Sequence, residues 1–156
     1  MSRNKIQAVR EFLALPRIAL VGASRKQQHY SRMVMNDLTI RGTEVFPVNP
    51  HAGEIGGLRS HAHVSEIQPP PDGALLLVPD HAAVTAVEEC LAAGIRKIWL
   101  RQAEDSTPFC RQAAARARAA GATVVSGECP LMFLPNAAWF HRLHGAVNRL
   151  VGIYPQ

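Results

Sequence analysis

Cysteine is scarce. The chain has three in 156 residues, Cys90, Cys110 and Cys129, with no C-x-x-C pair among them. An odd number at this spacing gives neither a disulfide framework nor a zinc knuckle, and a reducing, cytoplasmic setting is expected. Long apolar runs are also missing. The longest, such as residues 74–78, fall far short of the roughly 18 residues needed to cross a bilayer, so no membrane association is expected. Near the amino terminus Arg10, Glu11 and Arg17 interrupt any apolar core, which argues against a signal peptide. Aromatic residues make up only 6%, and no helix-turn-helix, zinc or aromatic-basic RNA signature is visible. Nucleic acid is therefore not an expected partner, despite a net charge of +5. Acidic residues are absent between Glu11 and Asp37, an interval that holds Arg17, Arg25, Lys26 and Arg32. That local imbalance favours a polyanion near the first strand.

The residues present suit a packed core. Apolar residues are 47% and charged residues 19%, over a length typical of one domain, so residues 1–156 are expected to form a single unit. Five short aliphatic or β-branched runs, at 18–21, 44–48, 74–78, 97–100 and 123–125, alternate with helical stretches that end at glycine. Most of the runs are continuously apolar, as burial on both faces of a parallel sheet requires. A helix with Ile6, Val9 and Leu13 on one face precedes the first run. The second helix covers about residues 31–41, the third starts after Asp80 as N-cap, and the fourth starts at Thr107-Pro108. A last helix at 136–151 carries Phe140, Leu143, Val147 and Leu150. The pattern predicts an α/β, Rossmann-like, doubly wound parallel five-stranded sheet with helices on both faces. Ligands of such sheets bind beyond the carboxyl ends of the strands, where strand order reverses.

At the end of the first run stands Val21-Gly22-Ala23-Ser24, followed by Arg25, Lys26, Gln27, Gln28, His29 and Tyr30. By position this is a phosphate-binding turn. Gly22 allows a tight approach, Ser24 offers a hydroxyl, and the helix that follows would aim unpaired N–H groups at an anion. Neither a full G-x-G-x-x-G nor a P-loop is present, so an ordinary βα turn remains the alternative. The second run ends in Pro47-Val48-Asn49-Pro50, with no acidic residue to hold the ribose hydroxyls of NAD, which demotes NAD(P). His61 and His63 lack a third ligand at metal-site spacing, and His141 and His144 read as a solvent or interface pair. His29 is the histidine best placed to touch a ligand, protonated beside phosphate.

The succession Val21-Gly22-Ala23-Ser24, Phe46-Pro47-Val48-Asn49-Pro50, residues 74–79, Ala93-Gly94-Ile95, Ile98-Trp99-Leu100 and Gly121 resembles the small stand-alone CoA-binding proteins. These share their fold with the amino-terminal domain of the succinyl-CoA synthetase alpha subunit. The likeness covers about residues 12–135 and leaves the last helix as an addition, available as a homodimer contact. It implies CoA or an acyl-CoA across the strand ends, with phosphate held by Gly22, Ala23 and Ser24 and the nucleotide side lined by Asn49 and Pro50. Val78 and Pro79 resemble the Val-Pro segment beside the ligand, and Gly127-Glu128-Cys129-Pro130 a shortened form of the synthetase's Gly-Pro-Asn-Cys-Pro turn. Arg25, Lys26 and Arg32 add charge that would pair with the phosphates of CoA. Cys129 reads first as a small buried side chain and second as a thiol able to meet that of CoA. One departure is Trp99-Leu100-Arg101-Gln102-Ala103: the family often has Trp-x-Gln followed shortly by glycine, and this chain lacks that glycine and inserts a charge. The resemblance points to a non-catalytic module that senses or carries CoA or presents it to a partner enzyme. An NAD(P)-binding redox protein or a CoA-dependent enzyme is the alternative, and ligase activity by this chain alone is not expected.

Overall fold

The computed structural model describes residues 3–134. The helix expected at 136–151, with His141, His144 and the dimer contact it would offer, lies outside the described residues. In chain order the elements are α1 (Arg3–Leu13), β1 (Arg17–Val21), α2 (Tyr30–Ile40), β2 (Glu44–Val48), the short strands β3 (Glu54–Ile55) and β4 (Leu58–Arg59), β5 (Gly73–Leu76), α3 (Ala83–Ala92), β6 (Lys97–Leu100), α4 (Pro108–Ala119) and β7 (Thr123–Ser126). Five of the strands form one parallel sheet in the order β2-β1-β5-β6-β7. The expected architecture is thus present. From β1 the chain moves outward to β2, then crosses back over β1 to β5, so the point of reversal lies between β1 and β5.

Alternation along the strands divides the core into two layers. Ile18 and Leu20 of β1 face Phe12, Val34 and Leu38 of α1 and α2, with Trp99 among them. Ala19 and Val21 face Val87, Cys90, Ala113 and Ala117 of α3 and α4. Trp99 is fully buried, meets Phe12 edge-on at 5.3 Å and donates its indole N–H to the Glu128 carbonyl at 3.0 Å. The small residues of α4, Ala113, Ala114 and Ala117, let that helix lie close to the sheet. Register then levels the carboxyl ends. Val21 pairs with Val48 and Leu76, Leu76 with Leu100, and Leu100 with Ser126, which presents five strand ends along one rim.

Some local expectations change. Asp80 does not cap α3: residues Asp80–Ala82 form a 3-10 turn and α3 begins at Ala83 with no side-chain cap. The third strand of the sheet stops at Leu76, two residues early, and Leu77 and Val78 pass beside Gly22 at the rim. Thr107 does cap α4, accepting from the Cys110 amide at 3.2 Å, with Pro108 in the first turn. The β3–β4 hairpin was not expected. Its turn is Gly56-Gly57, both at positive φ (59° and 79°), the conformation that two-residue hairpins demand. Arg17 leaves the cationic patch expected near the ligand. It lies at the opposite end of β1, where its guanidinium pairs with Glu44 at 3.2 Å, donates to the carbonyls of Pro69 and Pro70 and covers the Phe46 ring at 4.8 Å. Among the described residues no helix is long and apolar enough to cross a membrane.

Candidate functional site

Gly22 is the pivot of the rim. Its φ is +88°, and a Cβ placed there would fall 2.9 Å from the Leu77 carbonyl carbon and oxygen and 3.0 Å from the Val78 amide. Two independent constraints therefore require glycine, a left-handed backbone and contact with the main chain that follows β5. The turn that follows is held by side chains. Asn49 donates from Nδ2 to the Ala23 carbonyl at 2.8 Å and accepts the His51 amide on Oδ1 at 2.8 Å. Both ends of the Asn49 amide are thus committed to joining the β1 and β2 turns. It positions the two turns relative to each other.

Ser31, fully buried, links the turn to α2. Its hydroxyl accepts the Ser24 amide at 2.9 Å and lies 2.9 Å from His29 Nδ1. His29 is the N-cap of α2: Nδ1 also accepts the Ser31 amide at 3.2 Å. A nitrogen that accepts a backbone N–H carries no proton, which in this cap leaves Nε2 as the ring nitrogen able to donate. The Lys26 amide is taken by Ser24 Oγ at 3.2 Å. The expectation of unpaired N–H groups at the start of the helix is therefore corrected in part. Ser24, Lys26 and Ser31 spend their amides internally, while the Ser24 hydroxyl, an acceptor in this arrangement, keeps its own hydrogen to donate.

Two clefts flank this turn. The first, of about 340 Å³, lies between the β1 and β2 ends and α3. It brings together Gly22, Ala23, Asn49, Pro50 and Val78 from the expected set, with His63, Thr85 and Glu89 as its other polar side chains. The second, of about 400 Å³, lies between the start of α2 and the β5 and β6 ends. It gathers His29, Tyr30, Val78, Pro79 and Asp80 with Arg101 and Gln102. Val78 belongs to both walls. The charge inserted at Arg101 therefore forms part of a wall, its guanidinium 5.9 Å over the Tyr30 ring, while Gln102 donates to the Val78 carbonyl at 3.4 Å. Cys129 lies beneath Tyr30, Sγ 3.3 Å from the phenol oxygen. Burial, then the bond to Cys129, pushes the Tyr30 pKa well above its usual value, more than Arg101 lowers it, so this hydroxyl stays protonated.

The basic residues separate. Arg25 and Lys26 are exposed beside the turn, and Lys26 and His29 line a shallow depression with Gln27 and Gln28. Arg32 is half-buried, donates to the Arg25 carbonyl at 3.4 Å and packs against the Gly56 turn of the hairpin. Neither Arg25 nor Arg32 lines the two clefts. His61 turns away from the first cleft, its ring 6.2 Å from Phe46, whereas His63 opens into it. Sequence reasoning missed Thr85 and Glu89. They stand one turn apart on α3, a spacing that reads as an ordinary solvated helix face.

Comparison with known proteins agrees with the fold. A family described as CoA binding domain matches residues 16–135. The acetate–CoA ligase (ADP-forming) of Methanocaldococcus jannaschii is 25% identical over 87 residues, 55% of this chain but 12% of that protein, so the chain spans only a small part of that relative's length. Among solved structures, a conserved hypothetical protein of Pyrococcus furiosus is 32% identical with a TM-score of 0.65, covering 72% of this chain and 94% of its own. A hypothetical protein of Pyrococcus horikoshii is 30% identical with a TM-score of 0.71, covering 80% and 85%. With its doubly wound sheet, its glycine turn at the point of strand reversal and this match over most of its length, the chain belongs to the CoA-binding domain family.

Proposed function

We propose that this chain binds coenzyme A, free or acylated, along the carboxyl rim of its sheet and acts as a module that senses or carries it or presents it to a partner enzyme. The observation that carries the reading is the Gly22 turn, pressed against the Leu77-Val78 main chain just beyond β5, between two clefts. A ligand with an anionic centre, a heterocyclic base on one side and an uncharged arm on the other matches that shape. In this reading the pyrophosphate lies over Gly22, Ala23 and the Ser24 hydroxyl, with Arg25, Lys26, Arg32 and the His29 Nε2–H as its charged and polar surroundings. The nucleoside lies against Asn49 and Pro50. The pantetheine arm passes Tyr30, Val78 and Pro79 toward Cys129. A binding role fits Tyr30, whose hydroxyl is held protonated by burial and is no general base.

Thermal unfolding tests the reading. A ligand at about 100 times its dissociation constant stabilises the folded chain by about 2.7 kcal/mol, a clear shift for a domain of this size. CoA and acetyl-CoA are expected to raise the midpoint, and NAD, NADH and NADP to leave it unchanged. A response to NADH alone would replace this reading with a redox one.

A further inference from the structure

The first cleft has an unexpected charge for a site that serves a polyanion. Apart from the committed Asn49, its walls are mostly apolar, with Val48 and Pro50 from the β2 end and Ala82 and Ala86 from the α3 side. Its one carboxylate is Glu89. No lysine or arginine lines it. A carboxylate close to a phosphate is unfavourable through like-charge repulsion, so the phosphates, that on the ribose included, belong on the side of the turn and the uncharged base belongs in this cleft. The volume of about 340 Å³ suits a flat heterocycle held between apolar walls.

The Glu89 Oε1 lies 3.8 Å from His63 Nδ1, beyond hydrogen-bond distance, so both carboxylate oxygens keep accepting capacity. A carboxylate can only accept hydrogen bonds, and the uncharged end of a purine nucleotide offers such a donor when position 6 carries an amine. A 6-oxo purine presents a lone pair to the same place. We propose that Glu89 reads the base in this cleft, favouring a 6-aminopurine over a 6-oxopurine, with His63 beside it on the same wall. The inference rests on the CoA reading above and adds to it a residue that selects adenine.

The test uses the native chain with three probes: CoA, adenosine 3′,5′-bisphosphate and inosine 3′,5′-bisphosphate. The adenosine compound is expected to bind the native chain at least about tenfold tighter, the discrimination that a site built to pair with a polar group achieves. Glu89→Ala should bring the two bisphosphates within about twofold of each other, mainly by weakening the adenosine compound. Glu89→Gln, whose amide can also donate to a 6-oxo group, should narrow the ratio while keeping the side chain's size. The Glu89 side chain is 42% exposed, so both variants should unfold at the native temperature. A native ratio near one would overturn the inference, as would a ratio that survives Glu89→Ala. An equal loss for both compounds in that variant would also overturn it, by moving Glu89 to the ribose. Where CoA binds and any of these occurs, the inference fails alone; where CoA itself does not bind, it fails together with the reading beneath it.

Discussion

At the residue scale, the rim depends on a few atoms that no other side chain replaces. Gly22→Ala would combine a strained backbone with a methyl group 2.9 Å from the Leu77 carbonyl. A loss of at least about 2 kcal/mol in urea unfolding is expected, and a loss below about 0.5 kcal/mol would contradict the account. Ser31→Ala removes the acceptor of the Ser24 amide at a fully buried position. An unpaired buried donor costs about 1–3 kcal/mol, and an unchanged unfolding midpoint would show that the turn does not need this bond. The importance of Gly22 was legible in the sequence because a strand-glycine succession has a positional meaning. That of Ser31 was not: a serine in the first turn of a helix reads as local capping, and its bond to an amide seven residues earlier depends on how the turn folds back.

At the element scale, the parallel sheet was readable because its strands are buried on both faces and so appear as unbroken apolar runs. Thr107-Pro108 gave the start of α4 for a similarly local reason, and Thr107→Ala should cost about 1 kcal/mol in denaturant unfolding. The start of α3 was misread, since Asp80 has the residue type of a cap but stands in a 3-10 turn along the second cleft. The Gly56-Gly57 pair was a hairpin signal that went unused. Packing between elements adds a pH-dependent contact. Arg118, in the last turn of α4, donates to both oxygens of Glu104 at 2.7 and 2.6 Å, and this bonding lowers the Glu104 pKa below its usual 4.5. A carboxyl whose pKa falls on folding stabilises the fold above its unfolded pKa, and that contribution disappears as pH drops through the lowered value. Both side chains are more than a third exposed, so the effect stays within about 1 kcal/mol. The native chain should therefore melt slightly above Glu104→Gln at pH 7 and level with it in acid well below pH 4.5. An equal gap at both pH values would remove the ion pair from the explanation.

At the scale of the whole molecule, function comes from the meeting of segments far apart in sequence. The first cleft joins the β1 turn, the β2 turn, the loop with His63 and one face of α3; the second joins the start of α2 to two other strand ends. The strand ends could be read from the sequence because the fold class assigns ligands to them. The α3 wall could not, since Thr85 and Glu89 acquire their meaning only when α3 packs beside the rim. Arg17 was misplaced for the converse reason: proximity in sequence put it near the turn, while the strand's length carries it to the other end. The central claim is that the Gly22 turn and its two clefts hold CoA, and calorimetric titration of CoA into the purified native chain tests it most directly. The account predicts a saturable heat at one CoA per chain, absent from Gly22→Ala in a sample shown to be folded; a folded native chain that gives no heat with CoA would contradict it.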